Sequence, residues 1–407
     1  MIRRRSFLHG SLALAAWLAG LGAAAAQDTV KIGAPIAMSP PGSVAQGKEV
    51  RDGLTIAQEM LNRKGGILGK RIEILYEDHQ GTPEKGRAGV EKLITRDKVI
   101  AITGEHASSV TLADIEVVHR YNIPMVNTNA WSDAIRLKGY PEVFSRSNYN
   151  TRVSEAMAEV IAKMKVKNVV AYPENTDYGI GQAETLKKTL AKVAPGVKFT
   201  YRALDRAAKD FTPAVLPLKQ ERPDMVVLMM LPPSAYILIN QLYENGVAPS
   251  PTTWLYDGAG IADYPDFWDN VKDAGVGLVA FGLYHPKMNL TPLGKQVREI
   301  YIAKEKREPN RLIFQAADSL FILADAAERA KSTAPDALIK ALGATRFEGV
   351  LGTVTFEKEP GIYFQQWKEI PYVTYQLTAK NQQLPDTLLI QAPGLELSTD
   401  KLIRPTR

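Results

Sequence analysis

Residues 50–61 read Val-Arg-Asp-Gly-Leu-Thr-Ile-Ala-Gln-Glu-Met-Leu, and residues 62–76 continue Asn-Arg-Lys-Gly-Gly-Ile-Leu-Gly-Lys-Arg-Ile-Glu-Ile-Leu-Tyr. Val50, Leu54, Ala57 and Leu61 recur at helical spacing, which predicts a helix with one apolar face. Gly65 and Gly66 supply its stop signal. Residues 71–76 then read as a strand, and Val30-Lys31-Ile32-Gly33 upstream as another. A strand–helix–strand unit therefore opens the fold.

The rhythm continues outward. Thr82-Pro83 opens a second helix, with threonine suited to the N-cap and proline to the first turn. Residues 99–102 and 124–126 are further strands. Near residue 150 the pattern restarts. Val153, Met157, Val160, Ile161 and Met164 mark a helix, 168–172 a strand and 178–192 a helix. Strands follow at 197–201 and 225–230, and a helix at 234–245 ends at Gly246. Such alternation implies parallel sheets covered on both faces, and two runs imply two α/β lobes. The tail reads as helices at 300–306 and 314–331 and strands at 352–356 and 372–377. It is expected to be shared between the lobes.

The first 26 residues set the compartment. Arg3, Arg4 and Arg5 precede an apolar stretch over 7–21, and Ala23 to Ala26 give a small-residue end. This is the pattern of a secretory signal peptide, cut near Ala26. The apolar run is shorter than the roughly 20 residues a spanning helix needs. Arg4-Arg5-Ser6-Phe7-Leu8 also resembles a twin-arginine export signal. There is no cysteine, which excludes disulfides, thiolate metal sites, a cysteine nucleophile and a lipid-acceptor cysteine. The expected location is a bacterial periplasm, with the processed chain untethered. Three of the 50 basic residues are Arg3 to Arg5; the other 47 against 44 acidic residues leave +3, too balanced to argue for nucleic acid.

Catalytic patterns are weak. G-x-S-x-G is absent, and His106 two residues before Ser108 is no known nucleophile arrangement. His79, His106, His119 and His285 form no H-E-x-x-H. Residues 65–71 lack phosphate-loop spacing, and Gly179-Ile180-Gly181 lacks the third glycine of a dinucleotide loop. No enzyme activity, cofactor or metal is expected; a secreted hydrolase is the distant alternative.

Residues 64–78, Lys-Gly-Gly-Ile-Leu-Gly-Lys-Arg-Ile-Glu-Ile-Leu-Tyr-Glu-Asp, resemble the signature of the leucine/isoleucine/valine-binding proteins. These are type I periplasmic solute-binding proteins of branched-chain amino acid ABC transporters. Further similarities follow in the family's order. They are Pro173 to Gly179, Asp210-Phe211-Thr212 leading to Arg222-Pro223-Asp224, and 347–356. The resemblance spans about 29 to 380. It implies two doubly wound parallel-sheet lobes joined by a three-strand hinge, with crossovers near 145–150, 280–285 and 347–353. The lobes it implies are 27–147 with 283–349, and 148–282 with 350–407. It implies capture of an amino acid, branched-chain or otherwise apolar, by hinge closure. The partners it implies are that small-molecule ligand and the membrane permease subunits of an ABC importer, with the chain acting as a monomer.

Seven residues are expected at the ligand. Ser108 and Ser109 open a helix whose free N–H groups suit a carboxylate, and Ser108 falls where the family places a carboxylate-binding serine. Asn129 and Ala130 lie in the loop that holds the ligand's carboxylate and amine. Trp131 stands where the family has a threonine; its indole is expected to line the pocket, to stack on an aromatic or planar ligand, or to shield the cleft by packing between the lobes. Tyr178 matches a family tyrosine beside the ligand. Asp257 lies near a family carboxylate that pairs with an ammonium, since a buried ammonium needs a partner. Gln46 occupies a first-loop position that is often aromatic in the family. Asn148, Tyr149 and Tyr284 fall near the crossovers. The rival ligands are an aromatic carboxylate and a small amide.

Overall fold

The computed structural model describes residues 29–406, so the predicted signal peptide lies outside the described residues. Two sheets organise the chain. The first is built from β1 (Thr29–Ile36), β2 (Arg71–Asp78), β3 (Ala101–Thr103), β4 (Met125–Asn127) and β5 (Val143–Ser145). Its order is β2-β1-β3-β4-β5, and every pairing is parallel. The second uses β6 (Asn168–Pro173), β7 (Lys198–Tyr201), β8 (Met225–Met229), β9 (Trp254–Asp257) and β10 (Val279–Gly282). A small antiparallel hairpin follows, β11 (Arg346–Glu348) and β12 (Thr353–Thr355). Then β13 (Val373–Gln376) and β14 (Leu388–Gln391) complete the second sheet in the order β14-β13-β10-β9-β8-β6-β7.

The two-lobed α/β architecture predicted from alternation is present. The second sheet also carries an antiparallel edge, since β13 pairs antiparallel with β10 and β14 with β13. Alternation gives no signal for that edge, because only a short 3-10 turn, Leu384–Asp386, separates β13 from β14 and an antiparallel neighbour needs no crossover helix.

The packing follows from the apolar pattern. β1 is buried over Ile32 to Ile36, as a parallel strand covered on both faces should be. Against one face lies α1 (Val44–Arg63), where Val50, Leu54 and Ala57 are fully buried. Burying one such leucine contributes about 2 kcal/mol. The other face packs on α2 (Pro83–Thr95) and α3 (Ser108–Tyr121) through Val90, Leu93, Val117 and Val118. The long helix Arg311–Ala330 lies against α1 and the strands β3 and β4. Gly53 permits the close approach, because a Cβ there would come 2.4 Å from the Ile313 carbonyl oxygen.

The chain passes between the sheets after β5, after β10 and after the β11–β12 hairpin. A buried ion pair gathers the first and third passages. Arg146 donates through Nε and Nη2 to Asp318 Oδ2 at 2.9 and 2.7 Å, while Asp318 Oδ1 accepts the Val350 N–H at 2.7 Å. The Arg146 guanidinium also lies 4.8 Å from the Trp367 ring centre. Before reaching β13 the chain runs beside Ser145, which donates to the Gln365 carbonyl at 2.8 Å and accepts from Trp367 at 2.9 Å.

Candidate ligand-binding site

Both sheets send the carboxyl ends of parallel strands toward one cleft, the place where open α/β sheets bind ligands. A cavity of about 300 Å3 lies there. The first lobe lines it with Pro41, Gln46, His106, Ser108, Ser109, Asn129, Trp131 and Arg311, the second with Glu174, Thr176, Tyr178, Arg206, Leu231 and Ala259.

The floor is the turn from β3 into α3. Gly104 takes φ +91°, which bends the chain sharply, and its N–H donates to Thr128 Oγ1 at 3.0 Å. That bond ties the β3 turn to the β4 loop. The N-cap residue of α3 is Ala107, whose side chain makes no capping bond; just before it, Glu105 Oε1 accepts the N–H groups of His106 and Ala107 at 2.7 and 2.8 Å. The first N–H groups of α3 are left for a ligand, at the positive end of the helix dipole. Ser108 Oγ accepts the N–H groups of Trp131 and Ser132, both at 3.1 Å. Both lone pairs are thus engaged, and its remaining capacity is to donate its proton.

The lobes are drawn together around this floor. Ser109 Oγ accepts the Asp177 N–H at 3.3 Å, and Arg206 donates to the Pro41 carbonyl at 2.8 Å. Trp131 meets Tyr178 edge-to-face at 5.6 Å, and its indole N–H donates to Asn129 Oδ1 at 2.8 Å. Arg311, the first residue of its helix, reaches into the second lobe. It donates to the carbonyls of Gly260 and Ala259, to Asp263 Oδ1 at 3.1 Å and to the Tyr264 hydroxyl at 3.2 Å. Its Nε is buried without a partner. The guanidinium sits between the rings of Trp131 (5.5 Å) and Tyr264 (5.4 Å). Burial opposes its charge, but Tyr264, Asp263 and Asp257 raise its pKa on balance.

Ser108, Ser109, Asn129, Trp131 and Tyr178 border the cavity; Ala130 and Asp257 do not. Ala130 is buried, with its N–H donated to Asn127 Oδ1 and its carbonyl accepting from Asn127 Nδ2, each at 2.9 Å. Asp257, fully buried, accepts four backbone N–H groups, from Ala259, Gly260, Ile261 and Ala262, at 2.6 to 3.0 Å. It shapes the loop behind the cavity wall. Asn148, Tyr149 and Tyr284 do not border the cavity either.

Sequence reasoning missed Arg311, Arg206 and Glu174. Glu174 Oε2 accepts the Leu231 N–H at 3.0 Å and Oε1 the Thr176 hydroxyl at 2.9 Å; burial raises its pKa, against the charge of Arg206. For Arg311 a signal existed. A cation at the N-terminus of a helix opposes the helix dipole, so its presence asks for another reason.

His79, Glu105 and His106 offer ligand-type atoms within 4.8 Å of one another. His79 Nδ1 accepts the Gly81 N–H at 2.8 Å, so its proton sits on Nε2, 3.6 Å from Glu105 Oε1. In that tautomer His79 Nε2 has no lone pair to offer a metal, and it finds no hydrogen-bond partner.

Two interlocked α/β lobes closing a polar-ended cavity define a solute-binding clamp. The chain belongs to the periplasmic binding protein family, whose model matches residues 29–368. A leucine-, isoleucine-, valine-, threonine- and alanine-binding protein of Pseudomonas aeruginosa is 24% identical over 360 residues, covering 88% of this chain and 92% of the relative. A leucine-binding protein of Thermotoga maritima superposes with a TM-score of 0.79 at 22% identity, covering 92% of this chain and all of that one. An R. palustris ABC-transporter solute-binding protein in complex with 4-hydroxybenzoate superposes at 0.76 with 20% identity, covering 89% and 95%. Among the described residues no helix is long and apolar enough to cross a membrane.

Proposed function

We propose that this protein is the periplasmic solute-binding component of an ABC importer, and that it captures a small carboxylate by closing its lobes. The observation that carries this reading is the uncapped start of α3 beside the free proton of Ser108, inside a cavity closed over by Arg311 and Tyr178. Those groups are donors, and an anion is what donors at a helix start accept. The first lobe, 29–147 with 283–349, meets the ligand first. The second, 148–282 with the remainder, then closes, with 350–367 serving the hinge beside Ser145. The closed monomer delivers its ligand to membrane permease subunits, and no chemical step is needed.

The sequence favoured an amino acid on the strength of Asp257. With that carboxylate committed to four backbone bonds, Glu174 is, among the described residues, the one acid bordering the cavity, against Arg311 and Arg206. This balance favours a ligand whose charge is its carboxylate. An amino acid is the second reading, supported by Glu174 and by the ligands in relatives' names. The test is thermal melting of the mature protein with amino acids, hydroxy acids and aromatic acids. A ligand at a thousand times its Kd stabilises by about 4 kcal/mol. A large shift with one carboxylate class supports the reading; shifts only with uncharged solutes would contradict it.

A further inference from the structure

One cation of the second lobe crosses to the first beside the cavity. Arg206 follows β7 in a turn tied to the second sheet. The Leu204 N–H donates to the Pro173 carbonyl and the Asn175 N–H to the Leu204 carbonyl, both at 2.9 Å. At the tip, Asp205 Oδ1 accepts the Ala207 N–H at 2.8 Å, and the Asp205 carbonyl accepts the Ala208 N–H at 3.0 Å. The facing jaw belongs to the first sheet. Asp78, the last residue of β2, accepts the N–H groups of Met38 and Gln80 through Oδ1 at 2.9 and 3.0 Å, which pins the 38–42 loop beside 79–81. Gly81 takes φ +70°, and a Cβ there would come 2.9 Å from Gly42 Cα, so the two loops meet through glycines. Arg206 Nη2 reaches this jaw and donates to the Pro41 carbonyl at 2.8 Å.

Each end of that bond is held by its own lobe, so only the bond itself depends on how the lobes meet. The groups that feel the Arg206 charge are His79 and His106 of the first lobe and Glu174 of the second. Burial holds the two histidines neutral, at about 3 and about 4, so neither opposes the guanidinium at neutral pH. We propose that Arg206 is a latch, whose bond to Pro41 stabilises the closed clamp for any solute it holds without reading that solute's chemistry. The inference rests on the lobe closure proposed above and adds a positioning residue to it. A contact made only in the closed state acts on the closing equilibrium, and so raises the affinity of every solute by one factor.

The test reads the spacing of the lobes directly. The chain has no cysteine, so Ala88→Cys in α2 and Lys219→Cys in the second lobe, both exposed positions, take one pair of spin labels. Pulsed electron–electron resonance on the mature protein with no solute added should show closed and open spacings. Arg206→Ala should lower the closed-to-open ratio about three- to tenfold, as the loss of one hydrogen bond would. Arg206→Lys, which keeps a donor and the charge, should restore part of it. A second readout is calorimetry with isocaproate and isocaproamide, and with benzoate and benzamide, in high salt that screens the remote charge. Arg206→Ala should weaken an acid and its amide by factors that agree within about twofold. A wider gap, with the acid losing more, would make Arg206 a carboxylate contact and overturn the latch. An unchanged spacing ratio, or a single spacing that the substitution leaves in place, would overturn it as well. Failure of all four probes to bind would count against the carboxylate reading, while the spacing ratio would still decide the latch.

Discussion

Arg311 and Asp263 meet across the two lobes, with Nη1 3.1 Å from Oδ1 and both side chains nearly inaccessible to solvent. Removing one partner of a buried pair leaves an uncompensated charge, at a cost of about 3–5 kcal/mol. Arg311→Met should therefore lower unfolding stability in urea by about that amount, and the double variant with Asp263→Asn should recover part of it. Strictly additive losses would show that the two side chains are not coupled.

Ser108→Ala removes the free hydroxyl proton and the acceptor of the Trp131 and Ser132 N–H groups. Ligand affinity should fall about tenfold or more, in line with a hydrogen bond to a charged group. The ligand-free protein should also lose about 1–3 kcal/mol, since two buried N–H groups lose their acceptor. Calorimetry and urea unfolding check the two parts separately; unchanged affinity would remove Ser108 from the site.

Asp257→Asn separates a framework role from a ligand role. An amide oxygen cannot replace a carboxylate that accepts four N–H groups, because the NH2 end faces two donors. Stability should drop by roughly 1–3 kcal/mol. Once the protein is folded, the relative affinity for leucine and isocaproate should be unchanged. A selective loss of leucine binding would instead make Asp257 an ammonium partner.

The cluster below α3 predicts a pH effect. Burial lowers His79 to about 3 and His106 to about 4, so acidification below about 6.5 favours the unfolded chain, which takes up their protons. Burial raises Glu105 from 4.5 to about 7 and Asp114 well above its usual range, so the native state binds those protons first. The acids' contribution is full below their ordinary values and lost as pH rises through about 7. Between about pH 4.5 and 6.5 the two trends oppose. Glu105→Gln removes one native-bound proton. Its stability should therefore fall on acidification more steeply than wild type, by about 1.4 kcal/mol per pH unit. Parallel pH profiles from urea unfolding would refute this balance.

The two-lobed fold was legible because apolar spacing switches between helical and strand periods along most of the chain, as at Val50 to Leu61 and the strand beginning at Arg71. The family resemblance pointed to Ser108, Ser109, Asn129, Trp131 and Tyr178, and these five border one cavity. What local spacing misses is the direction of long side chains across a cleft. Arg311 lies 51 residues from Gly260 in sequence, and only the tertiary fold brings them together. Asp257 shows the converse: its position pointed at the ligand, yet its own following loop consumes its oxygens.

The central claim is that the cavity between the lobes reads a carboxylate. The most direct measurement is calorimetric titration with the best-binding acid of the panel and with its primary amide, the same skeleton without the charge. The account predicts saturable binding of the acid and at least a hundredfold loss with the amide, about 2.7 kcal/mol at 25 °C. Equal affinity for acid and amide would contradict it, and would leave Ser108 and the start of α3 without the anion assigned to them.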